Sequence, residues 1–211
     1  MFKDRVDAAH QLAARLAAYR GRNPLILAIP RGAVPMGKVL AEALKGSLDV
    51  VLVRKLRAPH HAELAIGSVD ESGWVYLADH AAATGATADY IESETQAQLN
   101  TIQERRRQYT PVHPPLDPAG RIVIVVDDGL ATGATMQAAL HALRARKPAK
   151  LVCAVPVSPQ DTLNKITKMA DEVICLEVPG YFQAVGQVYR DFSQVEDADV
   201  ISILQSTRPE G

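Results

Sequence analysis

Two rhythms of apolar positions alternate along the chain. Residues 3 to 20 place Val6, Ala9, Ala13, Leu16 and Ala17 at helical spacing, and Gly21 stands where such a helix stops. A short apolar run, Leu25 to Ile29, is closed by Pro30-Arg31-Gly32. A helix-like stretch from about Met36 to Leu44 and a second strand from Val50 to Val53 complete one strand, helix, strand unit. From Arg54 to Gly73 the rhythm fades among Pro59, His60, His61, Gly67 and Gly73, which predicts a long loop with room for a hairpin. Helical spacing returns with Ile91, Leu99, Ile102 and Tyr109, from about Ala88 to Tyr109, and the prolines at 111, 114, 115 and 118 end it.

Ile122 to Val126 is an unbroken branched run of the kind a strand covered on both faces shows, and a helix is predicted from Thr135 to Ala145. Strands at Leu151–Val155 and Val173–Leu176 flank a helix at Gln160–Met169. This alternation predicts an α/β fold, a parallel sheet with helices on both faces and a ligand site beyond the carboxyl ends of the strands. Residues 1–178 are expected to form the core, with 54–118 as an inserted flexible loop and helix. Residues 179–211 are expected to form a small hood of a strand or two and a short terminal helix within the same domain.

A chain of 211 residues suffices for one domain with a real core. The 23 Lys+Arg and 24 Asp+Glu leave a formal charge of -1, so no global field recruits nucleic acid or an anionic membrane, and any anion must be held locally. No long apolar run is present, and Lys3, Asp4, Arg5 and Asp7 break up the start, so the expectation is a cytoplasmic protein with no membrane partner. Cys153 and Cys175 sit in apolar runs, which suits buried thiols in a reducing compartment better than a disulfide framework or a metal site.

The chemistry concentrates in Asp127-Asp128-Gly129-Leu130-Ala131-Thr132-Gly133-Ala134-Thr135, where a buried strand runs in and a helix runs out. Gly129 and Gly133 let the backbone turn and approach an oxyanion, while the free N–H groups of the following helix face the same point. Thr132 and Thr135 add hydroxyl donors. Charge-assisted hydrogen bonds contribute roughly 1.5–3 kcal/mol each, so several can hold a phosphate monoester without a lysine. The Gly-Lys-Ser/Thr ending of a nucleoside triphosphate loop is missing. Asp127 and Asp128 are placed to accept hydrogen bonds from vicinal hydroxyls such as those of ribose. A single acid there would only cap a helix, but two acids, two glycines and two threonines in this order exceed a cap.

The stretch Val125 to Thr135 resembles the type I phosphoribosyltransferase family, in which a strand, two acids and a Gly/Thr loop bind 5-phosphoribosyl 1-pyrophosphate. The resemblance extends over about Leu25 to Leu176. It implies that Pro30, Arg31 and Gly32, after the first strand, hold pyrophosphate; taken alone, Pro-Arg-Gly is a turn. It implies the same for Arg54 and Lys55, which are similar to a basic pair in adenine and orotate phosphoribosyltransferases, although adjacent Arg-Lys is common on surfaces. Pro59-His60-His61-Ala62-Glu63 falls where relatives carry a closing loop, with His60 and His61 as loop donors or simply exposed side chains. The resemblance further implies transfer to a nucleobase-like acceptor, with Asp127, Asp128, Arg31 and Lys55 catalytic. Magnesium would be bound mainly through the donor, with no metal site assigned to the protein, and a homodimer is implied.

A hood over the base is also implied, with Tyr181 and Phe182 as candidates for stacking on the acceptor. Tyr181, Phe182, Tyr189 and Phe192 equally suit the hood's own aromatic core. The tail lacks the base-recognition signatures of purine and orotate enzymes, so the acceptor stays open. Two other readings stand beside transfer: a non-catalytic regulator that binds the donor or a nucleotide, and a hydrolase or phosphotransferase acting on a related sugar phosphate. Ala83-Thr84-Gly85-Ala86-Thr87, with Asp79 before it, echoes the main loop but leads straight into a helix. Arg105-Arg106-Arg107 near a helix end reads as a solvated face.

Overall fold

Strands β1 (Leu25–Ala28), β2 (Ser47–Val50), β6 (Ile122–Val126), β7 (Lys150–Val157) and β8 (Glu172–Glu177) pair in parallel in the order β2-β1-β6-β7-β8. The computed structural model describes residues 1–207 apart from the side chains of Ala62 and Glu63, so these and residues 208–211 of the expected hood lie outside the described residues. Side chains alternate across each strand. Ile26, Ala28, Ile124 and Val126 pack toward α1 (Arg5–Arg15) and α2 (Val34–Leu44), whereas Leu25, Leu27, Val123 and Val125 pack toward α4 (Ala134–Ala145) and α5 (Gln160–Ile166). Burial on both faces explains why the strands read as continuous apolar runs.

The predicted strand Val50–Val53 is corrected by the structure. The parallel strand ends at Val50, Val51 and Leu52 bridge two sheets, and Val53 opens β3; the run reads as one strand because all four residues are buried. The expected long loop after Arg54 is instead an antiparallel sheet of β3 (Val53–Ala58), β4 (His61–Asp70) and β5 (Val75–Leu77). Two features hide it from the period-2 pattern. Register shifts at Leu56/Arg57 and Arg57/Ala58 break the alternation, and β4 lies against both α3 (Ala88–Tyr109) and α4, so even Ser68 and Asp70 are buried. Ser68 Oγ donates to the Ala134 carbonyl at 2.7 Å, and Asp70 Oδ1 accepts from the Ser72 and Trp74 amides at 2.8 and 3.1 Å. Ser68 Oγ and Asp70 Oδ1 are thereby matched, whereas the buried Asp70 Oδ2 has no hydrogen-bond partner among the described residues.

The chain ends close together. The Phe2 amide donates to the Val188 carbonyl at 2.7 Å, the Arg190 amide donates to the Phe2 carbonyl at 2.9 Å, and Phe2 and Tyr189 form an isolated parallel bridge. Beyond that bridge the tail has no strand among the described residues; a 3-10 turn (Val185–Val188) and α6 (Asp197–Ser206) replace the expected strand or two. The face of α1 is also shifted from its predicted stripe: Ala8, Ala9, Leu12 and the following Leu16 are buried, while Val6 is 43% exposed. Thr87 caps α3 by accepting from the Tyr90 amide, so the Ala83–Thr87 echo is a helix start. Both cysteines are free, Cys153 buried and Cys175 half-buried. No helix among the described residues is long and apolar enough to cross a membrane.

Candidate active site

The strand order reverses direction between β1 and β6. From β1 the chain runs through α2 to β2 on one side, and from β6 through α4 to β7 on the other, so the loops after β1 and β6 diverge and leave a crevice. Ala28 pairs with Val126 in register, which sets Pro30-Arg31-Gly32 beside Asp127-Asp128. A cavity of about 410 Å³ opens there, bordered by Pro30, Arg31, Gly32, Lys55 and every residue from Asp127 to Thr135. The Pro30–Arg31 peptide is cis.

The loop is held from behind, leaving its front to the cavity. The Leu130 amide donates to the Val157 carbonyl at 2.9 Å, and Thr162 Oγ1 donates to the Ala131 carbonyl at 2.7 Å. Gly133 is the N-cap of α4 with φ 75, a conformation that favours glycine, and a Cβ there would come within 2.7 Å of Thr162 Cγ2. Gly133 has no side chain to cap this helix, and among the described residues only the Ala134 amide is engaged, donating to Thr132 Oγ1 at 3.4 Å, so the Thr135 and Met136 N–H groups and the positive dipole end remain available to an anion. Gly32 is required for a different reason: a Cβ would overlap Asp128 Oδ2.

The two acids differ in environment. Asp127 Oδ1 accepts the Asp128 amide at 2.9 Å; burial, and then the neighbouring Asp128 charge, push its carboxyl well above the usual range. Burial also raises Asp128, but Arg5 opposes it by donating from Nε to Oδ2 at 2.9 Å and pairing from Nη2 to the same oxygen at 2.8 Å. Lys55 favours the charged form of both acids. Asp127 Oδ2 and Asp128 Oδ1 have no protein hydrogen bond among the described residues, so each carboxylate keeps one oxygen for a ligand.

Sequence reasoning missed Arg5. It lines the cavity, donates from Nη1 to the Ser193 carbonyl at 2.6 Å and places its guanidinium 3.9 Å from the centroid of Phe192. Phe192 stacks on Tyr189, whose hydroxyl donates to the Asp128 carbonyl at 2.7 Å. Val185, Phe192, Gln194 and Val195 form the hood-side wall. The aromatic residues singled out for stacking lie elsewhere: Tyr181 is 75% exposed, Phe182 packs against the core, and neither borders the cavity. His60 and His61 are exposed and do not border it either.

Arg54 is displaced from its expected place. Its Nε donates to Gln98 Oε1 at 2.9 Å, and its side chain borders a neighbouring cavity, with Lys55 bordering both. The solvated-face reading of Arg105-Arg106-Arg107 is corrected to Arg107 alone, whose side chain is 72% exposed. Arg106 pairs with Glu71, and Arg105 lies 3.8 Å from Asp197, because α3 lies against β3 and β4. Arg31 Nη1 lies 3.3 Å from Glu196 and 3.4 Å from Asp197.

Comparison with known proteins agrees with this geometry. Residues 2–193 match the family model described as phosphoribosyl transferase domain. Two Mycobacterium tuberculosis proteins, named "Putative phosphoribosyl transferase" MT0597 and Rv0571c, are each 41% identical over 97% of this chain. The chain spans about half the length of these curated relatives, 46% of each. The crystal structure of TT1426 from Thermus thermophilus is 40% identical, with a TM-score of 0.82 over 98% of this chain and 99% of that one. With a family match over nearly its whole length and the switch-point cradle in place, this chain belongs to the phosphoribosyltransferase family, with the type I fold.

Proposed function

We propose that this chain transfers ribose 5-phosphate from 5-phosphoribosyl 1-pyrophosphate to a ring nitrogen of a nucleobase-like acceptor, with release of pyrophosphate. The observation that carries this reading is the convergence on one crevice of a glycine-opened helix start, two adjacent carboxylates and the cations Arg31 and Lys55. Gly129 to Thr135 hold the 5-phosphate through backbone N–H groups and the Thr132 and Thr135 hydroxyls. Asp127 and Asp128 accept hydrogen bonds from the ribose hydroxyls. As the bond from the anomeric carbon to pyrophosphate breaks and the bond to the acceptor nitrogen forms, positive charge gathers on the sugar and negative charge on the leaving group. The carboxylates stand on the first side of that separation, Arg31 and Lys55 on the second.

The two unengaged carboxylate oxygens are hard donors that suit a hydrated magnesium ion carried in by the donor, and the bound ion would offset charge on the departing pyrophosphate. The acceptor enters under the hood-side wall, where the Gln194 amide offers both a donor and an acceptor.

The test is incubation with magnesium, phosphoribosyl pyrophosphate and a panel of purine, pyrimidine and pyridine bases, read by mass spectrometry. A new nucleoside 5-monophosphate, absent with a folded Asp128→Asn variant, is the expected result. Donor loss without any added base would favour hydrolysis, and failure to bind the donor would remove the proposal.

A further inference from the structure

A cavity of about 270 Å³ lies on the α4 side of the parallel sheet, between the second half of α4, the end of α3, the turn from β4 to β5 and the loop before β6. It shares no lining residue with the transfer crevice. Leu27, Val51, Leu52, Leu116 and Leu143 give it largely apolar walls. The charged residues on those walls are already neutralised. Arg106 forks onto Glu71, from Nε to Oε1 at 2.9 Å and from Nη2 to Oε2 at 2.6 Å. Arg146 Nη2 donates to Asp117 Oδ1 at 3.2 Å. Asp49 accepts the Val50 and Leu116 amides, each at 2.7 Å, and burial pushes its carboxyl up toward the neutral form. An ionic ligand would enter an apolar space with no uncancelled opposite charge to meet it.

Polar demand remains nonetheless. Among the described residues six buried side-chain nitrogen and oxygen atoms lack a hydrogen-bond partner, and four of them stand on or just behind this wall. They are Arg106 Nη1, His141 Nδ1, Asp70 Oδ2 at 3.8 Å from that nitrogen, and Nε2 of His113, whose Nδ1 lies 4.0 Å from Asp49. Native proteins rarely leave buried donors and acceptors unmatched, so their concentration here marks a site that the chain alone does not complete. His141 adds a flat surface. Its ring stacks on Trp74, with centroids 3.6 Å apart and planes within 10°, while its side chain stays 42% exposed. In the neutral imidazole, an Nδ1–H directed at Asp70 leaves Nε2 as an acceptor.

We infer that this cavity is a binding site, separate from the transfer crevice, for an uncharged flat aromatic ring that carries an amide or lactam group. The ring extends the Trp74–His141 stack between the apolar walls, its N–H is accepted by His141 Nε2, and its carbonyl faces Arg106. The inference does not depend on the proposed function.

Trp74 is the chain's single tryptophan, so its indole N–H gives one resonance that reports on this cavity. The experiment follows that resonance while the full ¹⁵N-labelled chain is titrated with benzamide, hypoxanthine, benzoate and cyclohexanecarboxamide. A saturable shift with benzamide or hypoxanthine, at a Kd of about 1 mM or below, is expected for so small a molecule. Benzoate, of the same shape but charged, and cyclohexanecarboxamide, which is not flat, should bind at least about tenfold more weakly. Ala142→Phe fills the cavity from the half-buried flank of α4 and should abolish the shift while a cooperative melting transition persists; Ala142→Leu replaces it if the larger ring prevents folding. A response to hypoxanthine alone upholds the site for a fused lactam ring. No saturable shift with either amide, benzoate binding as tightly as benzamide, or a response that survives a folded cavity-filling variant overturns the inference. Hypoxanthine that binds by calorimetry while the Trp74 resonance stays still under both amides has gone to the transfer crevice, which also overturns it.

Discussion

Replacing Arg5 with Gln tests whether the second acid of the motif depends on a residue that far away in sequence. The guanidinium makes two contacts to Asp128 Oδ2, at 2.9 and 2.8 Å, with side-chain exposures of only 12% and 17%, so water does little to screen the pair. Breaking one partner of a buried pair costs about 3–5 kcal/mol. Part of that is recovered, because Asp128 can take up a proton once its strongest opposing charge is gone. A net loss of about 2–3 kcal/mol at neutral pH is therefore expected from urea unfolding. The sign of the pH dependence follows from Asp128. Burial raises its carboxyl and Arg5 opposes that rise, so Arg5 stabilises only the ionised form, and its contribution fades as falling pH protonates the acid.

A double-mutant cycle decides between this account and simple loss of packing. In an Asp128→Asn background the same Arg5 change should cost little, giving a coupling energy of about 2 kcal/mol. Donor affinity, measured by calorimetry, should fall in Arg5→Gln because Asp128 is then less often charged. If the two substitutions add without coupling, Arg5 acts through Phe192 and the Ser193 carbonyl, and the argument about Asp128 is wrong.

Two other substitutions probe the same crevice. Gly32→Ala puts a Cβ onto Asp128 Oδ2 and within 3.2 Å of Arg5 Nη2, an overpacking of about 1–3 kcal/mol that should appear as roughly tenfold weaker donor binding in a folded protein. Unchanged calorimetric affinity would show that the two loops move apart at little cost. Asp127→Asn should raise the melting temperature while abolishing transfer. The raised carboxyl of Asp127 favours the folded state below its ordinary value near 3.8 and penalises it as pH climbs through the folded value. The melting temperatures of variant and wild type should therefore diverge as pH rises above about 4, and parallel curves would contradict the assignment.

What the sequence made legible were local features with strong periodicity or fixed spacing. Ile122–Val126 stood out because helices cover both of its faces, and the Asp127–Thr135 loop because its residue types follow one another without a gap. Arg5 was invisible for the opposite reason: it meets Asp128 across 123 positions. A faint local sign was present, since a cation in the first turn of a helix runs against the helix dipole, and a residue so placed often has a partner elsewhere. The hood failed similarly. The cluster of aromatic residues was plain, but which ring turns inward depends on Phe2 lacing the tail at Tyr189, a contact between the chain's two ends. Arg105 looked solvated because the sheet that covers it had itself been read as a loop.

The charge pattern explains how a chain with formal charge -1 can gather so many cations at one end of a sheet. Three of them are given an acidic partner where they stand. Arg5 rests on Asp128, Arg31 on Glu196 and Asp197, and Arg105 on Asp197, while the Tyr109 hydroxyl donates to Asp197 Oδ1 at 2.9 Å. Glu196 and Asp197 both stand at the start of α6, so the tail holds the arginines of the loop after β1 and of α3 together. On the proposed reading, an entering pyrophosphate group must exchange these contacts for its own. The exchange is inexpensive, because the pairs to Glu196 and Asp197 are long, at 3.3–3.8 Å, and both acids are more than a third exposed. The pair between Arg5 and Asp128 is shorter and far more buried, and in the proposed function it lies on the ribose side, where one carboxylate oxygen remains open. The site is thus loosely latched where a multiply charged group must enter and firmly built where the sugar must be aligned.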